Sequence, residues 1–239
     1  MLISDPFASV SFVYISPGGF LMGSTDEEFG SHNDEALHEV VLTKGFYMQA
    51  TLVTQRQWRA LMGTNPSTFN GGSADRPVDG VSWNDCRLFI NKLNAIGGYK
   101  YRLATEAEWE YACRAGTSSP FPSGPPNPSE QEYDVSLCER GWYRSNSGGK
   151  TNRVAQKKPN PWGLYDMHGN LCEWCEDWYG KYGSSTQMDP VNTKMSASRV
   201  CRGGCWMSVA QNCRSACRFS WPPNCRSDFI GFRLVRDEE

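Results

Sequence analysis

The sequence predicts one α+β domain rich in irregular loops, and three observations point to it. The chain has 239 residues with 39% hydrophobic content, which suits one large domain with a real core. Its 23 glycines and 14 prolines imply many turns, while 9 tryptophans and 10 tyrosines supply large rings that fill a core and need hydrogen-bond partners. Helix and strand periodicities alternate through the first half and then fade, with no internal repeat and no linker, so residues 1–239 are expected to form a single unit.

Local signals justify the elements in order. Residues 10–22 alternate around Pro17-Gly18-Gly19 and predict two short strands; 38–42 and 45–49 predict another strand pair. Thr54 caps a helix running through Trp58 and on to Met62. Ser82 and Asp85 open a second helix, with Trp83, Cys86, Phe89, Ile90 and Leu93 on one face, and Gly97-Gly98 ends it. Thr105 and Glu108 form a capping box for a third, 106–114, closed by Gly116. Residues 117–160 are rich in Ser, Pro, Gly and Asn, with Trp142 and Tyr143 as anchors; short strands and long loops follow, ending in a strand at 230–235.

Bulk properties narrow the partners. A formal net charge of -2 creates no global field for nucleic acid, so none is expected as a partner. Mean hydropathy is -0.56, and no run approaches the roughly 20 apolar residues of a membrane span. The opening MLISDPFASVSF lacks a basic start and a long apolar stretch, so no export signal is predicted and no compartment is assigned. A monomer is expected. The ten cysteines are irregularly spaced; Cys172 and Cys175 form a CxxC, but no second CxxC and no paired histidines complete a zinc site. Cys86, Cys113, Cys172 and Cys175 read as buried free thiols.

A set of ordered motifs then carries a resemblance. They are Gly18-Gly19-Phe20-Leu21-Met22-Gly23-Ser24, Pro77-Val78, Val81-Ser82-Trp83, Arg102-Leu103-Ala104-Thr105-Glu106-Ala107-Glu108-Trp109-Glu110, Gly163-Leu164-Tyr165-Asp166-Met167-His168-Gly169-Asn170-Leu171-Cys172-Glu173-Trp174, Arg202-Gly203-Gly204 and Gly231-Phe232-Arg233-Leu234. Together they resemble the formylglycine-generating-enzyme, or sulfatase-modifying-factor, family over nearly the whole chain. The resemblance implies a C-type-lectin-like fold with little regular secondary structure. It does not decide function, because one fold hosts unrelated activities.

In catalytic members of that family, two cysteines after the arginine-glycine-glycine motif hold copper(I) for the oxidation of a substrate cysteine. Those positions fall here on Ser208 and Cys213. A neutral hydroxyl is a poor ligand for this soft ion, so copper is not expected and no residue is assigned as catalytic. A copper-dependent oxidase acting on cysteine, with a pair displaced among Cys205, Cys213 and Cys217, is the alternative. The family's iron-dependent branch needs histidines from an added helical domain, and this chain has only His32, His38 and His168.

Residues 202–235 also resemble the variable region of proteins diversified by diversity-generating retroelements. Ala210-Gln211-Asn212-Cys213-Arg214-Ser215-Ala216 stands intact, and mixed residues occupy the surrounding places where asparagines stand in such templates. Mutating the adenines of AAC codons yields codons ending in C, which cannot encode Trp, Met, Gln, Lys or Glu. The candidate positions are Cys205, Ser208, Val209, Cys217, Phe219, Ser220, Pro222, Cys225, Ser227, Asp228 and Phe229, and all hold allowed residues. Met207 and Trp221 do not, so they belong to the fixed scaffold; Asn212 and Asn224 stay ambiguous. Trp206, Arg214, Arg218, Trp221, Arg226 and Phe232 are expected to pin the backbone while the candidate residues face outward. The expected function is non-catalytic binding of a macromolecule, a protein above all. The resemblance further implies a calcium site at Asp166, Gly169, Leu171 and Glu173, a donor set suited to a hard cation, and loss of a second calcium site near Asn146.

Overall fold

The structure, a computed structural model, describes residues 2–5, 10–122 and 134–238. Among the described residues, twelve short strands, four α-helices and one 3-10 turn (Ala210–Cys213) alternate with long loops. The strands are β1 (Leu2–Asp5), β2 (Val10–Ile15), β3 (Gly18–Met22), β4 (His38–Leu42), β5 (Phe46–Gln49), β6 (Tyr101–Arg102), β7 (Cys172–Trp178), β8 (Gln187–Met188), β9 (Arg199–Arg202), β10 (Arg218–Trp221), β11 (Ile230–Gly231) and β12 (Val235–Asp237). The helices are α1 (Gln55–Met62), α2 (Trp83–Ile96), α3 (Glu106–Arg114) and α4 (Val135–Cys138). They form an α+β fold with three sheets, ordered β1-β2-β5-β12-β6, β10-β9-β7-β11 and β3-β4-β8.

The first three helices begin as their sequences require. Thr54, Ser82 and Thr105 each accept from the N3 backbone, and Gln57, Asp85 and Glu108 return the bond to the cap. Cys86, Phe89, Ile90 and Leu93 form the buried face of α2. The third helix spans 106–114 as expected, with Ala115 taking the left-handed cap at φ 48° and Gly116 following at φ 86°.

Two strand expectations are corrected. The strands at 38–42 and 46–49 do not pair with each other. The former lies between β3 and β8, the latter between β2 and β12. Alternation marks a strand but does not name its partner, and neighbours in sequence need not be neighbours in a sheet. The segment 230–235 is two strands: β11 joins β7 in parallel, and β12 pairs with β5 and β6. In the 117–160 region, α4 is an element that the fading periodicity concealed; residues 123–133 lie outside the described set.

One core cluster gathers around Trp58, Phe89, Trp174 and Phe232, and another around Phe46, Met48, Trp109 and Leu164. Every residue of α3 is buried, including Glu106, Glu108, Glu110 and Arg114. A helix buried all round cannot keep charges on a wet face, so its carboxylates must be paired. Arg202 and Arg218 of the C-terminal segment pair with Glu110 and Glu106, while Arg102 pairs with Glu108 and Arg114 with Glu110. No described helix is long and apolar enough to cross a membrane.

Candidate ligand-binding surface

Four arginines fix the C-terminal segment from within. Arg202 and Glu110 are both fully buried and ion-paired, and Arg202 also donates to the carbonyls of Ala216 and Cys217 at 2.6 Å. Arg218 grips Glu106 at 2.7 and 2.9 Å and lies over the Tyr182 ring. Arg214 reaches back to Glu35 at 2.8 Å with two nitrogens and to Glu28 at 2.7 Å. Arg233 holds both oxygens of Glu173 at 2.6 Å. Bidentate pairs of this kind set orientation as well as position. The carboxylates at 28, 35, 106 and 110 are not singled out by the sequence; for the helix, the available signal is the spacing Glu106, Glu108, Glu110, which puts Glu106 and Glu110 on one face and Glu108 on the opposite one.

Backbone geometry explains the Gly-Gly after Arg202. Gly203 and Gly204 have φ of 96° and 68°, and a Cβ would meet Trp109 at 2.9 Å or Cys213 Sγ at 2.7 Å. The loop that follows is pinned by its main chain. Arg144 N–H donates to Ser208 O at 2.9 Å, and Ser147 Oγ donates to Trp206 O at 2.7 Å. The Trp206 indole donates to Asp228 O at 3.0 Å, tying the 205–209 loop to the 222–229 loop.

The candidate positions divide on this scaffold. Ser208, Val209, Phe219, Ser220, Cys225, Ser227, Asp228 and Phe229 are half-buried, and Pro222 is exposed. Phe219 stacks on Trp221 with centroids 5.7 Å apart, and Trp221 meets Phe229 at 5.3 Å, a continuous aromatic strip. Met207, 43% exposed, adds an apolar tip. Cys205 and Cys217 depart from expectation: both are buried, at 4% and 1% exposure. Cys205 lies directly under the loop's turn, and Cys217 lies beneath the carbonyl contacts of Arg202, so neither faces outward. Of the expected anchors, Arg214, Arg218 and Phe232 are buried and Trp206 and Trp221 half-buried, whereas Arg226 is exposed and held only by Asp85.

The two-cysteine copper site is absent. Ser208 occupies one position, and its hydroxyl shares a 3.3 Å hydrogen bond with Cys205 Sγ. Hydrogen bonds from Cys172 and then Ser208 outweigh burial and bring the Cys205 thiol down to about 7. Cys213 is fully buried, and desolvation pushes its thiol well up. All ten cysteines are unpaired, and Cys86, Cys113, Cys172 and Cys175 are buried as expected.

The calcium donor set meets a mixed test. Asp166 is buried in the left-handed region at φ 59°, with Oδ2 accepting from Ala155 N–H and Oδ1 buried without a partner. Burial raises its carboxyl to about 6. An orphaned acid oxygen fits a cation. Glu173 is already neutralised by Arg233, and its Oε2 also accepts from the Trp109 indole at 3.0 Å. Asp166 therefore brings the unpartnered donor of this set, while Glu173 is ion-paired and, with Oε1 accepting only from Arg233, keeps one lone pair for an ion.

Residues 5–238 match the sulfatase-modifying factor enzyme 1-like domain, and the chain belongs to that family. It has the family's lectin-like α+β fold. Among solved structures, it is similar to Treponema denticola variable protein 1, with 29% identity, a TM-score of 0.88 and coverage of 100% of this chain and 99% of that one. It is also similar to PvdO from Pseudomonas aeruginosa, with 29% identity, a TM-score of 0.86 and coverage of 100% and 98%. Among curated proteins, the serine/threonine-protein kinase pkn1 of Chlamydia caviae is 32% identical over 225 residues, covering 82% of this chain but 33% of that protein. The chain thus spans about a third of that relative's length.

Proposed function

We propose that the chain is a variable protein of the retroelement-diversified kind, a non-catalytic module that binds a macromolecule, foremost a protein, through residues 205–229. Its arrangement is one domain with a replaceable region at 202–235. The observation that carries this reading is the division of labour within one segment. Arg202, Arg214, Arg218 and Arg233 are buried and ion-paired, and nine of the eleven candidate positions lie half-buried or exposed between them. Backbone bonds hold the loops, so side chains there change without loss of the frame. The likeness to a variable protein across the full chain supports the same reading. The aromatic strip Phe219-Trp221-Phe229 supplies anchors of the kind that dominate protein interfaces.

A library randomised at the eleven positions and displayed against an unrelated folded protein tests this. Most members are expected to fold, and selection is expected to enrich binders with the four arginines intact. If the parent protein instead binds one equivalent of copper(I) through cysteine and oxidises a cysteine peptide with oxygen, the oxidase reading replaces this one.

A further inference from the structure

The loop at 31–36 meets the start of β10, where Arg218 donates to Asp34 O at 2.8 Å. There the ligand atoms of His32, Glu35 and Cys217 all lie within 4.8 Å of one another. Glu35 and Cys217 are each 1% exposed, while His32 is exposed to solvent. We propose that these three side chains form a site for a borderline divalent metal ion of the zinc type.

The donor chemistry suits such an ion. Thiolate, imidazole and carboxylate are the ligand types that zinc takes, and three protein ligands with a fourth place open to water is one of its usual arrangements. Tetrahedral bonds of about 2.0–2.3 Å put donors roughly 3.3–3.8 Å apart, so donors that already lie within 4.8 Å of one another are near the spacing an ion needs. Glu35 has room for the ion. Its Oε2 accepts from Ser24 Oγ at 2.7 Å and Arg214 Nη1 at 2.8 Å, but its Oε1 accepts only Arg214 Nη2 at 2.8 Å. A carboxylate offers about four lone-pair sites, so one on Oε1 remains. Arg214 also holds Glu35 in place, the supporting role that metal sites need.

The charges favour a cation as well. Arg214 faces both Glu28 and Glu35, and Asp34 adds a further negative charge near Cys217, so the pocket has a surplus of negative charge. Binding brings a dication and releases the Cys217 Sγ proton to solvent, so the ion offsets the carboxylates and the new thiolate. A hard cation such as calcium would leave the thiol unused, which favours the softer ion. Cys217 is also a candidate variable position. On the reading proposed above, the site would then belong to this variant and not to the scaffold, and the ion would clamp the 31–36 loop to the turn before β10.

Cobalt(II) substitution reads the site directly. The purified full chain, dialysed against chelator and titrated with cobalt(II), is expected to show near-ultraviolet thiolate charge transfer and tetrahedral visible bands at one equivalent, displaced by zinc(II). His32→Ala, an exposed change that leaves folding intact, and Cys217→Ser are each expected to weaken binding at least tenfold. Cys205→Ser is expected to keep the bands. Absence of the bands in the parent protein overturns the proposal. So does their survival in both His32→Ala and Cys217→Ser, or their loss in Cys205→Ser, which would place the ion on the other thiols.

Discussion

Arg202 and Asp166 are both buried charges at motif positions, and their surroundings treat them oppositely. Arg202 has Glu110 beside it and two carbonyls at 2.6 Å. Removing one partner of such a pair strands the other in a dry site, which costs about 3–5 kcal/mol. Arg202→Met is therefore expected to lower stability by about that amount in chemical denaturation. Asp166 has one satisfied oxygen and one orphan, and burial raises its carboxyl to about 6. Its folded pKa stands above its unfolded one, so its contribution to stability is intact below about 3.8 and lost as pH rises through about 6. Asp166→Asn does not titrate and keeps an acceptor for Ala155. It is expected to be more stable than the parent at pH 7 without calcium, by up to about 3 kcal/mol, with the advantage fading toward pH 4. Millimolar calcium is expected to raise the parent's melting temperature and leave Asp166→Asn unchanged. A parent indifferent to calcium in thermal melts would remove the cation from this position.

Within the C-terminal segment, the account separates replaceable from fixed positions, element by element. Asparagine at Ser208, Ser220, Pro222 or Ser227 is expected to cost under about 1 kcal/mol each, because these side chains are not fully buried and the loop is held by main-chain bonds. Asparagine at Arg214 is expected to cost about 3–5 kcal/mol, since Glu28 and Glu35 lose their cation. Thermal melts of the five variants check both halves. Much of this level was legible in sequence. The capping boxes at Thr54, Ser82 and Thr105 are local chemistry, as is the apolar face of α2. The partner of a strand is not local: β5 pairs with β2 and β12, the latter nearly two hundred positions away. The site was half legible for the same reason. Ser208 standing in a cysteine position is visible in the sequence. The burial of Cys205 and Cys217, and the grip of Glu35 on Arg214, depend on loops meeting from distant parts of the chain.

At the scale of the molecule, the fold explains how one chain of the sulfatase-modifying factor enzyme 1-like family can lose the copper pair and still present a built surface. The frame comes from buried ion pairs between α3, the 28–35 loop and the C-terminal arginines, none of which requires the copper position. The surface is then open to replacement at residues whose codons a retroelement can reach. The most direct measurement is to sequence the genomic neighbourhood of the gene. The account predicts a reverse transcriptase gene and a near-copy of the stretch encoding residues 202–235, differing from it at adenines in the codons of the candidate positions and matching it at the codons of Arg202, Arg214, Trp221 and Arg233. A complete genome with no such copy would contradict the claim that this segment is diversified.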